Sequence, residues 1–128
     1  MNKQELLSRT KVFALRSLRL VDHLLRTTSG HAIGNQLVRR ATSVGANYRA
    51  ACRARSRAEF AAKLGVVAEE ADESVYWLEL ISEGKILAET KVIDLLKEAN
   101  ELTAILTSAR RTSSHNQTSN LKPQKSSS

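Results

Sequence analysis

The sequence predicts an all-α protein: an antiparallel up-down four-helix bundle (residues 1–111) followed by a disordered polar C-terminal tail (112–128). Three observations carry this reading. Helix breakers are scarce, with Pro123 the single proline and glycine confined to positions 30, 34, 45, 65 and 84. Ala, Leu, Glu, Lys and Arg, all strong helix formers, dominate the rest. Four segments repeat apolar residues at helical spacing, and no stretch alternates as a half-buried strand would. With 128 residues and 41% hydrophobic content, the chain can build one domain around one modest core.

The first helix is read from Glu5 to Arg26, where Leu7, Ala14, Leu18, Val21 and Leu25 recur at helical spacing and Phe13 and Leu24 widen the stripe. Its arginines also suit a helix lying on a membrane surface, but a bundle helix is the simpler reading. The polar cluster Thr27-Thr28-Ser29-Gly30 is read as its stop. A second helix follows from about Ala32 to Arg53, with Ile33, Leu37, Ala41, Val44, Tyr48 and Ala51 near one stripe. Ser56-Arg57-Ala58-Glu59 then has the form of a capping box, in which Ser56 accepts from the Glu59 amide and Glu59 reaches back.

The third helix, about Arg57 to Glu83, shows the clearest seam: Phe60, Leu64, Val67, Ala71, Val75, Leu78 and Ile81. Glu69, Glu70, Asp72, Glu73 and Glu79 are assigned to its solvent face, and Gly84 to the C′ stop. The fourth helix, about Thr90 to Ala109, turns Val92, Leu95, Leu96, Ala99, Leu102 and Leu106 inward. Beyond it the chain is too polar to offset its ordering entropy, hence the tail.

Charge is unevenly spread. Residues 1–57 carry 12 basic and 2 acidic side chains, residues 58–109 carry 4 and 11, and residues 110–128 carry 4 and none. Such a split means either that the halves neutralise each other as contacting helices or that the basic half faces an anionic partner. Both are compatible.

Nothing resembles an active site, and neither an enzymatic activity nor a cofactor is expected. His23, His31 and His115 are scattered, without the paired spacing a metal needs. No glycine pattern cradles a phosphate. Cys52 is the only cysteine, which excludes an intrachain disulfide and fits a reducing, cytoplasmic setting; it reads as a small buried hydrophobe. Apolar runs are too short for a membrane span, so no membrane partner is expected.

Between Arg39 and Arg57 the chain reads RRATSVGANYRAACRARSR: six arginines (Arg39, Arg40, Arg49, Arg53, Arg55 and Arg57) and no acid. The small block inside it, Ala41 to Asn47, places Ser43, Gly45 and Ala46 where side-chain bulk is low, so another backbone can approach. Mid-helix Gly45 costs about 1 kcal/mol relative to alanine, and something must offset it. Asn47 is a poor helix former too, and predicts a side-chain hydrogen bond to a neighbouring helix.

Residues 36–60 (QLVRRATSVGANYRAACRARSRAEF) and 63–81 (KLGVVAEEADESVYWLELI) resemble the four-helix bundle proteins first noted in intervening sequences of bacterial 23S ribosomal RNA genes, the S23-type proteins. The resemblance covers about Leu6 to Leu106. Gln36 with Arg39-Arg40-Ala41, Ser43-Val44 with Asn47, Ser56 with Glu59-Phe60, and Glu73 are its most specific parts. Where many members read Asn-Ile-Ala-Glu-Gly this chain reads Asn47-Tyr48-Arg49-Ala50-Ala51, so a role of that glutamate does not carry over. The resemblance implies a bundle that assembles into a homopentamer. It also implies kinship with the accessory protein of diversity-generating retroelements, which binds a reverse transcriptase and nucleic acid through a basic surface.

The arginines carry the functional expectation. Arginine's planar donor fork suits phosphate, so RNA or DNA binding through Arg39, Arg40, Arg49, Arg53, Arg55 and Arg57 is the leading reading. Tyr48 is the one aromatic in the patch, which favours backbone contacts over base stacking. The alternative is a scaffold whose arginines pair with Glu69, Glu70, Asp72 and Glu73 of a neighbouring subunit or with an acidic protein partner.

Overall fold

The computed structural model describes residues 1–114. Its elements are α1 (Lys3–Val21), α2 (Thr28–Ala51), α3 (Arg57–Glu83) and α4 (Glu89–Ser127, described as far as Ser114). Successive helices run antiparallel, with α3 packed most extensively between α2 and α4, and α1 resting chiefly on α2. No strand occurs among the described residues, and none of their helices is long and apolar enough to cross a membrane. The core joins Phe13, Leu37, Val44, Leu64, Val67, Leu78, Ile81, Val92, Leu102 and Leu106, all fully buried. On α2, α3 and α4 these are the seams the spacing predicts.

On α1 the seam differs. Leu6, Thr10, Phe13, Ser17 and Leu20 face the core, while Leu7 and Ala14 are half-buried and Leu18 and Leu25 are exposed. The stripe read from spacing also holds Lys11, whose charge opposes burial. The one used contains two hydroxyls, which become compatible with burial by bonding to their own helix: Thr10 Oγ1 donates to Leu6 O at 2.8 Å and Ser17 Oγ to Phe13 O at 2.9 Å.

Helix boundaries also move. α1 stops at Val21, and the Thr27–Gly30 cluster starts α2 instead of closing α1: Thr27 is the N-cap, its Oγ1 accepting from the Gly30 amide at 3.0 Å. α2 ends at Ala51, which leaves Arg53 in the turn. α3 begins as predicted, with Ser56 Oγ accepting from Glu59 N at 3.1 Å, although the Glu59 carboxylate returns to the amide of Arg55, not of Ser56. α4 runs past Ala109, and Arg110 lays its side chain over Gly65 of α3. The remainder of the tail expected to be disordered lies outside the described residues.

The end of α3 is a Schellman turn, with Ile86 N donating to Ile81 O at 2.9 Å and Lys85 N to Ser82 O at 3.1 Å. Its left-handed position falls on Lys85 (φ 56°), one residue after Gly84. An L side chain there is strained, so Lys85→Gly is expected to raise stability by about 1 kcal/mol, read as a higher melting temperature by circular dichroism. An unchanged melt would show that the turn carries no such strain. Leu25 N donates to Ile86 O at 3.1 Å, tying the α1–α2 turn to the α3–α4 turn.

Candidate nucleic-acid interface

Up-down topology brings the start of α1, the α2–α3 turn and the far part of α4 to one end of the bundle. Arg49, Arg53, Arg55 and Arg57 meet Lys3, Lys63, Arg110 and Arg111 there. The acids nearest them are engaged as caps: Glu5 accepts from Asn2 Nδ2 at 2.9 Å, and Glu59 accepts from Arg55 N at 3.2 Å. At the opposite end Arg19, Arg26, Lys85 and Lys91 stand beside Asp22, Glu83 and Glu89, so charge there is close to balanced. Among the described residues, therefore, one end of the bundle is a basic pole.

The six arginines divide into three groups. Arg49, Arg53, Arg55 and Arg57 are exposed at the pole, and among the described residues none has an ion-pair partner. Arg39 is exposed too, but it sits ten residues before Arg49, about 15 Å further along the helix at 1.5 Å per residue. Arg40 turns to α3, where its Nε lies 2.8 Å from Glu73 Oε2; the N–H is not aligned, so this is a charge contact without a hydrogen bond.

The pole is poorly explained by helix stability. Arg55 and Arg57 flank the N-cap Ser56, at the end of α3 where the helix dipole favours anions, and cations there cost a few tenths of a kcal/mol. By contrast Arg9 is a structural arginine. Its Nε and Nη2 donate to both oxygens of Glu98 at 2.7 Å, with Glu101 at 3.2 Å, and clamp α1 to α4. The hydrogen bonds from Arg9 to Glu98 hold its pKa above the ordinary arginine value, despite partial desolvation.

Several of the residues that carry the resemblance meet at the α2–α3 seam. Asn47 Nδ2 donates to Glu70 Oε1 at 2.7 Å, Arg40 meets Glu73, and Ser43 Oγ closes on Arg39 O of its own helix at 2.7 Å. The helical partner expected for Asn47 is thus present, but it is an acid that the spacing assigns to solvent. Glu70 is only 8% exposed. Its position three residues after Val67 and four before the buried Ser74 is the signal that points inward. Asn47→Leu removes the donor from a buried carboxylate and is expected to cost about 1–3 kcal/mol in chemical denaturation. Adding Glu70→Leu should recover part of that loss; equal stability of Asn47→Leu and the parent would contradict the account.

Gly45 lies beside Thr10, where an added Cβ would sit 3.4 Å from the Thr10 carbonyl, an ordinary contact. Thr42, Gly45, Ala46 and Arg49 of α2 face Gln4, Leu7, Ser8, Lys11 and Ala14 of α1 across an open groove of about 540 Å3. Nearby, burial chiefly, with a smaller contribution from the half-buried Cys52, pushes the Tyr48 phenol up to about 12.

Residues 2–108 match the family described as 23S rRNA-intervening sequence protein. A crystal structure of a protein of unknown function from the S23 ribosomal protein family, from Bacteroides thetaiotaomicron VPI-5482, superposes with a TM-score of 0.79 at 30% identity. That match covers 87% of this chain and 99% of the other. No curated protein matches.

Proposed function

Because the chain belongs to the 23S rRNA-intervening sequence protein family, we propose that it is a non-enzymatic, homo-oligomeric protein that binds the phosphate backbone of RNA or DNA through its basic pole. The observation that supports this is the gathering of Arg49, Arg53, Arg55 and Arg57 at one end, exposed and without intrachain ion pairs among the described residues. Solvated arginines that stabilise nothing within the chain are free to exchange water for phosphate. Binding follows charge and has weak sequence preference, since no aromatic platform accompanies them.

Titration of the protein into labelled single-stranded RNA at low salt tests the reading. Affinity is expected to fall by about 0.7 log units per log unit of salt for each phosphate contacted. Absence of RNA and DNA binding at low salt, together with no retention on heparin, would overturn it. A second reading, a scaffold in which arginines bridge to acids of another subunit or partner, is favoured by one observation. Arg40 already pairs with Glu73 of the acidic helix within the chain. Light scattering addresses the assembly itself, and is expected to give a multiple of 14.1 kDa at micromolar concentration.

A further inference from the structure

α1 carries two parallel stripes rich in apolar residues, and it buries the one made of Leu6, Thr10, Phe13, Ser17 and Leu20. Thr10 and Ser17 go into the core, while Leu7 and Ala14 are half-buried beside α2 and Lys11 and Leu18 are exposed. Leu18 remains 40% exposed. Together with Gly45 and Ala46 of α2, Leu7 and Ala14 wall a groove that is mostly apolar and that the basic Lys11 and Arg49 also line.

Among the exposed apolar surfaces of the described residues, one lies on α3. Val66, Glu69, Glu73, Tyr76, Leu80 and Glu83 step by three and four along one stripe that mixes aliphatic or aromatic side chains with carboxylates, of which Glu73 is held by Arg40. Val66 is 50% and Tyr76 53% exposed. One surface is therefore concave and lined in part by basic side chains, while the other is a ridge with acids interleaved.

We propose that the α1–α2 groove of one copy receives the α3 ridge of a second copy, so that subunits join head to tail. This rests on the reading of the protein as a homo-oligomer and names the surfaces that make the contact. Complementarity selects the pairing. Groove against groove would set Lys11 against its own copy, and ridge against ridge would crowd Glu69 and Glu83. Groove against ridge removes both apolar surfaces from water and brings opposite charges together. Because the two surfaces are different, every added subunit leaves one of each available, and the assembly grows until it closes.

Two variants at exposed helical positions test it. Ala46→Glu fills the groove and places an acid there, and Tyr76→Arg puts a cation on the ridge. Each variant alone is expected to run as a 14.1 kDa monomer in light scattering, with the parental circular dichroism spectrum. An equimolar mixture should give a heterodimer of twice the chain mass and nothing larger, since Tyr76→Arg supplies an intact groove and Ala46→Glu an intact ridge. Retention of the parental multimer by both variants would place the interface elsewhere while leaving the oligomer in force. Monomeric variants that fail to pair when mixed would overturn the head-to-tail arrangement. A parent that is itself monomeric would remove the oligomer and this contact together.

Discussion

Reversing Arg53, Arg55 and Arg57 together to glutamate is expected to lower affinity for single-stranded RNA by roughly two orders of magnitude. Each exposed phosphate contact contributes on the order of 1 kcal/mol, and about 1.4 kcal/mol is a tenfold change in affinity. The salt dependence should flatten in parallel, by about 0.7 for each phosphate no longer engaged. The fold should not suffer, because the three side chains are exposed and have no ion pair among the described residues. Acids at positions 55 and 57 even suit the α3 N-terminus better than the arginines do. Helicity, melting temperature and oligomer mass are therefore controls that must stay near the parent. Arg39→Glu, further along α2 and away from the pole, should have a much smaller effect. If the triple variant instead dissolves the oligomer, and the parent ignores RNA and DNA at low salt, these arginines are assembly contacts and the scaffold reading replaces the binding one.

Gly30→Ala is expected to be the most damaging single-methyl change in the bundle. Gly30 is buried in the first turn of α2, and an added Cβ would run into the carbonyl of Leu25. The carbonyl is not free to retreat, because the Leu25 amide is held by Ile86 O at 3.1 Å and Thr27 caps the same turn. Overpacking against fixed backbone puts the cost at about 2–3 kcal/mol, or roughly 10 °C in melting temperature for a domain of this size. Gly45→Ala is the contrasting case. Its Cβ would make only an ordinary contact with Thr10, and alanine gains about 1 kcal/mol in helix propensity, so that variant should melt no lower than the parent. Similar melts for the two alanine variants would show that the turn between α1 and α2 is softer than its hydrogen bonds suggest.

Two glycines in one helix thus have opposite roles, and the sequence points to the wrong one. Gly45 draws attention because it interrupts a helical pattern, which local propensity can detect. Gly30 reads as a stop, since a Thr-Thr-Ser-Gly cluster is compatible with either end of a helix. Whether such a cluster closes one helix or caps the next depends on where the following chain packs. Glu70 is a similar case: its neighbours in the acidic run are solvated, and only the position of Asn47 across the seam makes its burial tolerable.

Four helices, their order and the seams of α2, α3 and α4 follow from the sequence by itself, because period and cap chemistry are local properties that survive without knowledge of the partner. The N-cap at Ser56 is of that kind, as is the need of Asn47 for a partner on another helix. What only the tertiary structure decided is which of two stripes on α1 is buried, which arginines are neutralised, and which charges meet. Hydroxyls that bond to their own helix made the stripe with Thr10 and Ser17 buriable; a turn near the middle of the chain brought Arg53, Arg55 and Arg57 to the same pole as Lys3 and Arg110; and Glu73 removed Arg40 from the set. These outcomes depend on distances between residues far apart in the chain, and such distances exist only once the helices have packed.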